Sequence, residues 1–157
     1  MKVAYFLGAL NRGGAETLIL DICRNHKDVP YDFVCVYRHD GNMTKEFENT
    51  GAPMIQIVKK RGYLRYLFDI RRTLLRRNVT IVHSQTPSNT LLLSFALVRT
   101  GIKIITTFHG HSFADAPWWQ RKIVYLTSKK IVCVSEYQKL YYKEKWGLHN
   151  VNKLQLV

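Results

Sequence analysis

The chain has 157 residues and a formal net charge of +13, from 24 Lys and Arg against 11 Asp and Glu. Apolar residues make up 46% and charged residues 22%, enough apolar material to offset the entropy of folding, which excludes disorder and the collagen and coiled-coil classes. The length fits one domain, and the longest apolar stretch, residues 91–98, is far short of the ~20 that a spanning helix needs.

Residues 3–7 are an apolar run, read as a buried first strand. One Lys before that run is faintly like a secretion leader, but Asn11-Arg12-Gly13-Gly14 follows in place of a small-residue cleavage site. The protein is therefore read as cytoplasmic. Residues 15–25 carry Leu18, Ile19 and Ile22 at helical spacing. A second strand is predicted over 33–37, a short helix over 44–49 and a third strand over 54–58. A strong helix follows over 63–77 and a fourth strand over 80–83. Pro87 beside a candidate cap, Ser88, precedes a buried helix over 91–98. Strands at 103–107, 130–134 and 153–157 alternate with helices at 118–127 and 136–146. Ser135 and Gln138 have the spacing of a reciprocal helix cap. Strands without polar alternation, separated by helices, mean a sheet covered on both faces. The predicted fold is α/β, a three-layer Rossmann-like domain with a mostly parallel sheet of six or seven strands. Ligands then bind beyond the carboxyl ends of the strands, in the loops at 8–14, 84–88 and 108–116.

The first of those loops, Gly8 to Gly14, opens helix one. Glycines admit close backbone approach and a helix N-terminus offers free N–H groups, so the loop suits a phosphate; a tight turn without a ligand explains the same residues. It is not a Walker A loop, because Gly14-Ala15 stand where Lys-Ser/Thr is needed, and no G-x-G-x-x-G is present. Glu16 reads as a carboxylate favoured by the helix dipole or anchoring the loop, not as a general base. The cysteines at 23, 35 and 133 are scattered through apolar segments and read as buried thiols. No clustered ligands recommend a metal.

Residues 59–77 hold eight basic side chains and one acid. At helical spacing Tyr63, Leu67, Ile70 and Leu74 form a core-facing stripe, with Arg65, Arg72 and Arg76 opposite. Leu64, Phe68 and Leu75 lie beside the arginines. A solvated face accounts for this pattern, and so does an anionic membrane interface formed by Arg61, Arg65, Phe68, Arg72 and Arg76. Trp118, Trp119, Arg121, Lys122 and Tyr125 form a second aromatic and basic cluster, suited to an acceptor or lipid groove or to a packed helix.

Four segments, KVAYFLGALNRGGAETLILDI, IVHSQTPSNTLLL, IITTFHGHSF and KKIVCVSEYQKLYYKEKWGL, occur in an order that resembles the N-terminal half of a family 4 glycosyltransferase of the GT-B fold. The resemblance covers essentially the whole chain, residues 1–157. It implies an acceptor-side Rossmann-like domain facing a second domain that grips a nucleotide-sugar. It implies that Gly13 and Gly14 approach the donor diphosphate, and that His109, in the stretch Thr107-Phe108-His109-Gly110, is the catalytic histidine beside the transferred sugar. Asn11, Arg12, His111 and Ser135 become candidates for the acceptor or cleft. Retention of configuration is implied, with no metal and no cofactor besides the nucleotide-sugar substrate.

Two departures stand out. The family often has His-x-His after strand four, where this chain has His83-Ser84-Gln85. The chain also ends at Val157, before the second domain, so it is expected to be an N-terminal domain inactive by itself. The implied partners are a nucleotide-sugar, a glycan or lipid-linked acceptor of the cell-surface polysaccharide type, the missing domain, and an anionic inner membrane face on which the enzyme is peripheral. Two alternatives remain. A basic nucleic-acid-binding module fits the charge but lacks a recognisable motif, so no nucleic-acid partner is expected. A stand-alone nucleotide-binding α/β domain fits the loop.

Overall fold

The computed structural model describes residues 1–60, 62–111, 113–146 and 153–156. Seven strands, β1 (Lys2–Phe6), β2 (Asp32–Tyr37), β3 (Met54–Gln56), β4 (Ile81–Ser84), β5 (Lys103–Phe108), β6 (Ser128–Cys133) and β7 (Leu154–Leu156), form one sheet in the order β3-β2-β1-β4-β5-β6-β7. Every pairing is parallel. Among the described residues six helices connect them: α1 (Gly14–Arg24), α2 (Thr44–Glu48), α3 (Tyr63–Arg76), α4 (Pro87–Ala96), α5 (Trp118–Thr127) and α6 (Glu136–Trp146). The predicted Rossmann-like three-layer architecture is the observed one, with a sheet that is wholly parallel.

The central strands are apolar throughout because both faces are covered. Ala4 and Phe6 of β1 and Val34 and Val36 of β2 pack with Tyr66, Ile70 and Leu74 of α3 and Leu93 of α4. The alternate residues Val3, Tyr5, Phe33 and Cys35 pack with Ile19, Leu20 and Cys23 of α1 and Phe47 of α2. A smaller core joins Phe108, Val124, Ile131 and Tyr142 under α5 and α6. The three cysteines are free and buried, as expected. Polar groups inside the sheet satisfy one another: Thr90 and Thr106 hydroxyls lie 2.8 Å apart, and Thr106 and Ser128 hydroxyls also 2.8 Å.

Three expectations need correction. The helix expected over 91–98 spans Pro87–Ala96, and its cap is Thr86, not Ser88. Thr86 is extended and its hydroxyl accepts from the Asn89 amide, while Pro87 fills the first helical position, where no N–H is needed. In α3 the core stripe is Tyr66, Ile70 and Leu74, whereas Tyr63 is 66% exposed. Tyr63 stands in the first turn, ahead of the buried face, with the Lys59 ammonium 3.8 Å from its ring centre. Finally, β6 begins at Ser128, directly after α5, and not at residue 130.

Strand order reverses at β1, with β2 on one side and β4 on the other. The chain leaves β1 and β4 in opposite directions, which opens a crevice at their carboxyl ends. All strands being parallel, the loops after β1, β2, β3, β4, β5 and β6 share that edge.

Candidate functional site

The loop from β1 into α1 is held from the β2 side. The Gly8 carbonyl accepts from the amides of Arg38 and His39, the Leu10 amide donates to the His39 carbonyl, and the Leu10 carbonyl accepts from Met43. The Arg12 amide donates to Asn42 Oδ1 at 2.9 Å, and its guanidinium pairs with Glu46 at 2.6 Å. Arg12 is thus drawn toward α2. Gly41 lies so close to this loop that a Cβ would collide with the Leu10 carbonyl and the Asn11 side chain. No sequence motif pointed to Gly41 or Asn42, because their function is to receive a loop thirty residues earlier in the chain.

Gly13 is the N-cap of α1, in extended backbone with φ −166° and ψ 169°, and supplies no side-chain cap. Neither Gly13 nor Gly14 is in the left-handed region, so backbone strain is not what selects glycine here. A Cβ on Gly13 would fall 2.6 Å from Glu16 Oε2, the flexible end of a carboxylate folded back over the helix start. That carboxylate accepts from its own amide, and burial raises its pKa above the ordinary value. Glu16 therefore sits against the helix N-terminus, as the dipole favours. Gly14 is different: a Cβ there would meet nothing within 4 Å. The space over its backbone is open.

His109 ends the β5 edge of the same crevice. Its Nε2 lies 3.1 Å from Gln85 Oε1, and Gln85 is fully buried after β4. The amide oxygen only accepts, so Nε2 carries the proton and Nδ1 is left as the acceptor. Burial lowers the His109 pKa below the ordinary imidazole value, because desolvation disfavours the charged ring. Gln85 occupies the place of the second histidine of the His-x-His pattern and positions His109 instead. His83, in β4 two residues before Gln85, is set 2.7 Å from the Thr107 hydroxyl and lies beside the Tyr5 ring, tilted against it at 5.6 Å between ring centres. Burial, with His109 adding to it, pushes its pKa down to about 4.

The His109-Gly110-His111 turn is pinned through Gly110. Its carbonyl accepts from the Tyr142 hydroxyl at 2.8 Å and from Gln138 Nε2 at 3.3 Å. Ser135 caps α6: its hydroxyl accepts from the Gln138 amide, and Gln138 Oε1 accepts from Val134. The spacing of Ser135 and Gln138 announced this box, but not that Gln138 also reaches the histidine loop. His111 is exposed and packs edge-on against Tyr141, at 4.5 Å between ring centres. Gly13, Gly14, Asn11, His109, His111 and Ser135 thus share one edge of the sheet. Among the described residues no hydrogen bond or ion pair joins the glycine pair to His109. Arg38, whose Nε is buried without a partner and whose Nη1 is 3.4 Å from Asn89 Oδ1, stands in the same crevice and carried no sequence signal.

Among the described residues no three His, Cys, Asp or Glu side chains gather as they would around a metal. No described helix is long and apolar enough to cross a membrane.

The model of Glycosyltransferase Family 4 matches residues 12–157. The chain belongs to this family. A comparison with curated proteins finds no match. Solved structures share the fold at low identity. HepE from Anabaena, in complex with UDP, superposes with a TM-score of 0.81 at 13% identity, over 100% of this chain and 43% of its own. The lipopolysaccharide outer core galactosyltransferase WaaB, in its apo form, gives 0.74 at 16% identity, over 99% and 44%. A glycosyltransferase from Rickettsia africae gives 0.70 at 20% identity, over 98% and 42%. The chain therefore spans less than half the length of the structures it matches.

Proposed function

We propose that the chain is the acceptor-side half of a retaining glycosyltransferase, which moves a sugar from a nucleotide-sugar to a glycan or lipid-linked acceptor. A second domain that holds most of the donor completes the site, and the chain alone turns over poorly. The observation that carries this reading is the uncluttered start of α1. Gly14 has open space over its backbone, at a helix N-terminus on the same carboxyl edge of the sheet as His109. A diphosphate oxygen fits there, because helix amides and the dipole attract it and no side chain intervenes. That HepE is described with UDP and UDP-glucose supports a nucleotide-sugar as the donor.

In this reading His109 accepts a hydrogen bond from a sugar hydroxyl at Nδ1 and sets the sugar's orientation. Gln85 holds the ring, and the Gly110 carbonyl, tied to Tyr142 and Gln138, holds the turn. Misplacing a reacting sugar costs about 10²-fold in rate. In the complete enzyme, His109→Ala should lower turnover of UDP-glucose by about that factor while the protein stays folded, with a modest loss of stability from the unpaired Gln85. Turnover within twofold of wild type would remove His109 from the site.

The same enzyme is proposed to rest on anionic membrane. Leu64 is 84% exposed and Phe68 52%, on a helix whose exposed surface also carries Arg65, Arg72 and Arg76. Arg65 is engaged with Asp69 at 3.3 Å; Arg61 lies outside the described residues. The N-terminus of α3 is at the crevice edge, so a leaflet bound there would present a lipid-linked acceptor to the site. Vesicles containing anionic phospholipid should co-sediment the chain at low salt, and Phe68→Ser with Arg72→Glu should release it. Equal binding to neutral vesicles would reject this surface.

A further inference from the structure

A separate groove of about 250 Å³ lies between α5 and α6, walled by the rings of Trp118, Tyr125 and Trp146 and by the side chains of Arg121 and Lys122. Two facts set it apart from ordinary helix packing. Trp118 is 67% exposed, a large ring left in water beside the cation of Lys122, 5.9 Å from its centre. Arg121 Nε and Trp146 Nε1 are buried in the wall of the groove with no acceptor among the described residues. Arg121 Nη1 is used structurally, on the Lys145 carbonyl at 2.9 Å, which fixes the guanidinium against α6. Leaving a buried donor without an acceptor costs about 1–3 kcal/mol. Both residues line the one groove, so a small shift of either side chain would bring an unmet donor to an oxygen ligand there.

We propose that this groove binds the phosphate-bearing end of an amphiphile, a lipid phosphate, with the phosphate oxygens on Arg121, Lys122 and Trp146 and the first apolar carbons on Trp118 and Tyr125. The charge pattern excludes a cationic ligand. A neutral saccharide would stack on Trp118 but would leave the Arg121 and Lys122 charges unanswered. The site lies beside the histidine turn: Trp146 packs on Phe108 at 5.4 Å between ring centres and on Phe113 at 6.2 Å, and Phe108 directly precedes His109. This deepens the acceptor-side reading and rests on it: the groove would seat the head of a lipid-linked acceptor next to the crevice.

The three tryptophans of the chain are Trp118, Trp119 and Trp146, so intrinsic tryptophan fluorescence reports on this region alone. The 157-residue chain is titrated with decyl phosphate below its aggregation threshold, with decyl maltoside and with inorganic phosphate. Decyl phosphate should change the emission saturably, and decyl maltoside should not. Inorganic phosphate should bind at least about tenfold more weakly, for want of the apolar contact. Lys122→Glu and, read through Trp146, Trp118→Ala alter exposed side chains; each should weaken decyl phosphate about tenfold with an unchanged melting curve. An equal response to decyl maltoside, equal affinity for inorganic phosphate, or full binding by Lys122→Glu would overturn the assignment. Because no nucleotide is present in the titration, its failure leaves the glycosyltransferase reading standing. A loss of UDP binding elsewhere in the crevice would in turn leave the groove's result untouched.

Discussion

Valine at Gly14 should leave the domain folded and abolish its response to UDP at the start of α1. The effect on stability is small because the new side chain points into open space. Alanine at the same position should even stabilise the fold, by roughly 0.5–1 kcal/mol, since glycine loses more chain entropy in a helix. The effect on binding is large for the same geometric reason. A phosphate oxygen must come within about 2.9 Å of the backbone nitrogens, and the valine methyls fill the volume it crosses. Amide resonances of a labelled chain give the measurement. UDP should shift Gly13 through Thr17 in the wild type, and the valine variant should require at least tenfold more UDP, or show no shift. A valine variant that responds like the wild type would show that the glycines serve the turn and hold no phosphate.

Acid should weaken the fold through His83. Its folded pKa is about 4, against about 6.5 in an unfolded chain. The folded state therefore binds fewer protons, and the stability tied to neutral His83 is fully present above pH 6.5. It is lost as pH falls, and the loss is complete below about pH 4. Between pH 7 and pH 4.5 the loss amounts to about 2–3 kcal/mol. His109, also lowered, acts in the same direction. Urea unfolding at both pH values, for wild type and for His83→Gln, isolates the contribution, because the variant keeps every other titrating group. The variant should lose about 2 kcal/mol less than the wild type over that interval. An identical loss in the two proteins would mean that His83 already carries its proton in the folded state or is solvated there.

Much of the architecture was legible in the chain. Apolar runs such as VAYF and FVCVY, without polar alternation, require cover on both faces, and only a parallel sheet flanked by helices provides it. Capping chemistry at Ser135 and Gln138 was equally plain, since the pattern is local. The misjudged elements have local causes as well. Thr86 and Ser88 flank Pro87 with similar hydroxyls, and only the extended backbone of Thr86 chose between them. Tyr63 and Tyr66 are three residues apart, and where the helix first meets the sheet decided which one is buried.

Within the site, the helix N-terminus after β1 and the histidine after β5 could be named from spacing and resemblance, because each belongs to a strand-loop unit that the sequence spells out. Their meaning was decided elsewhere. Gln85, which follows β4 and stands 24 residues earlier, decides which nitrogen of His109 is left free, while burial lowers the ring's pKa. The orphaned donors of Arg121 and Trp146 come from different helices, and the groove exists only where those helices meet. Sequence fixes periodicity, charge and short-range hydrogen bonding, which act over a few residues. Which proton a histidine keeps, and which buried N–H lacks an acceptor, depends on groups distant in the chain that only the folded sheet brings within 3–4 Å.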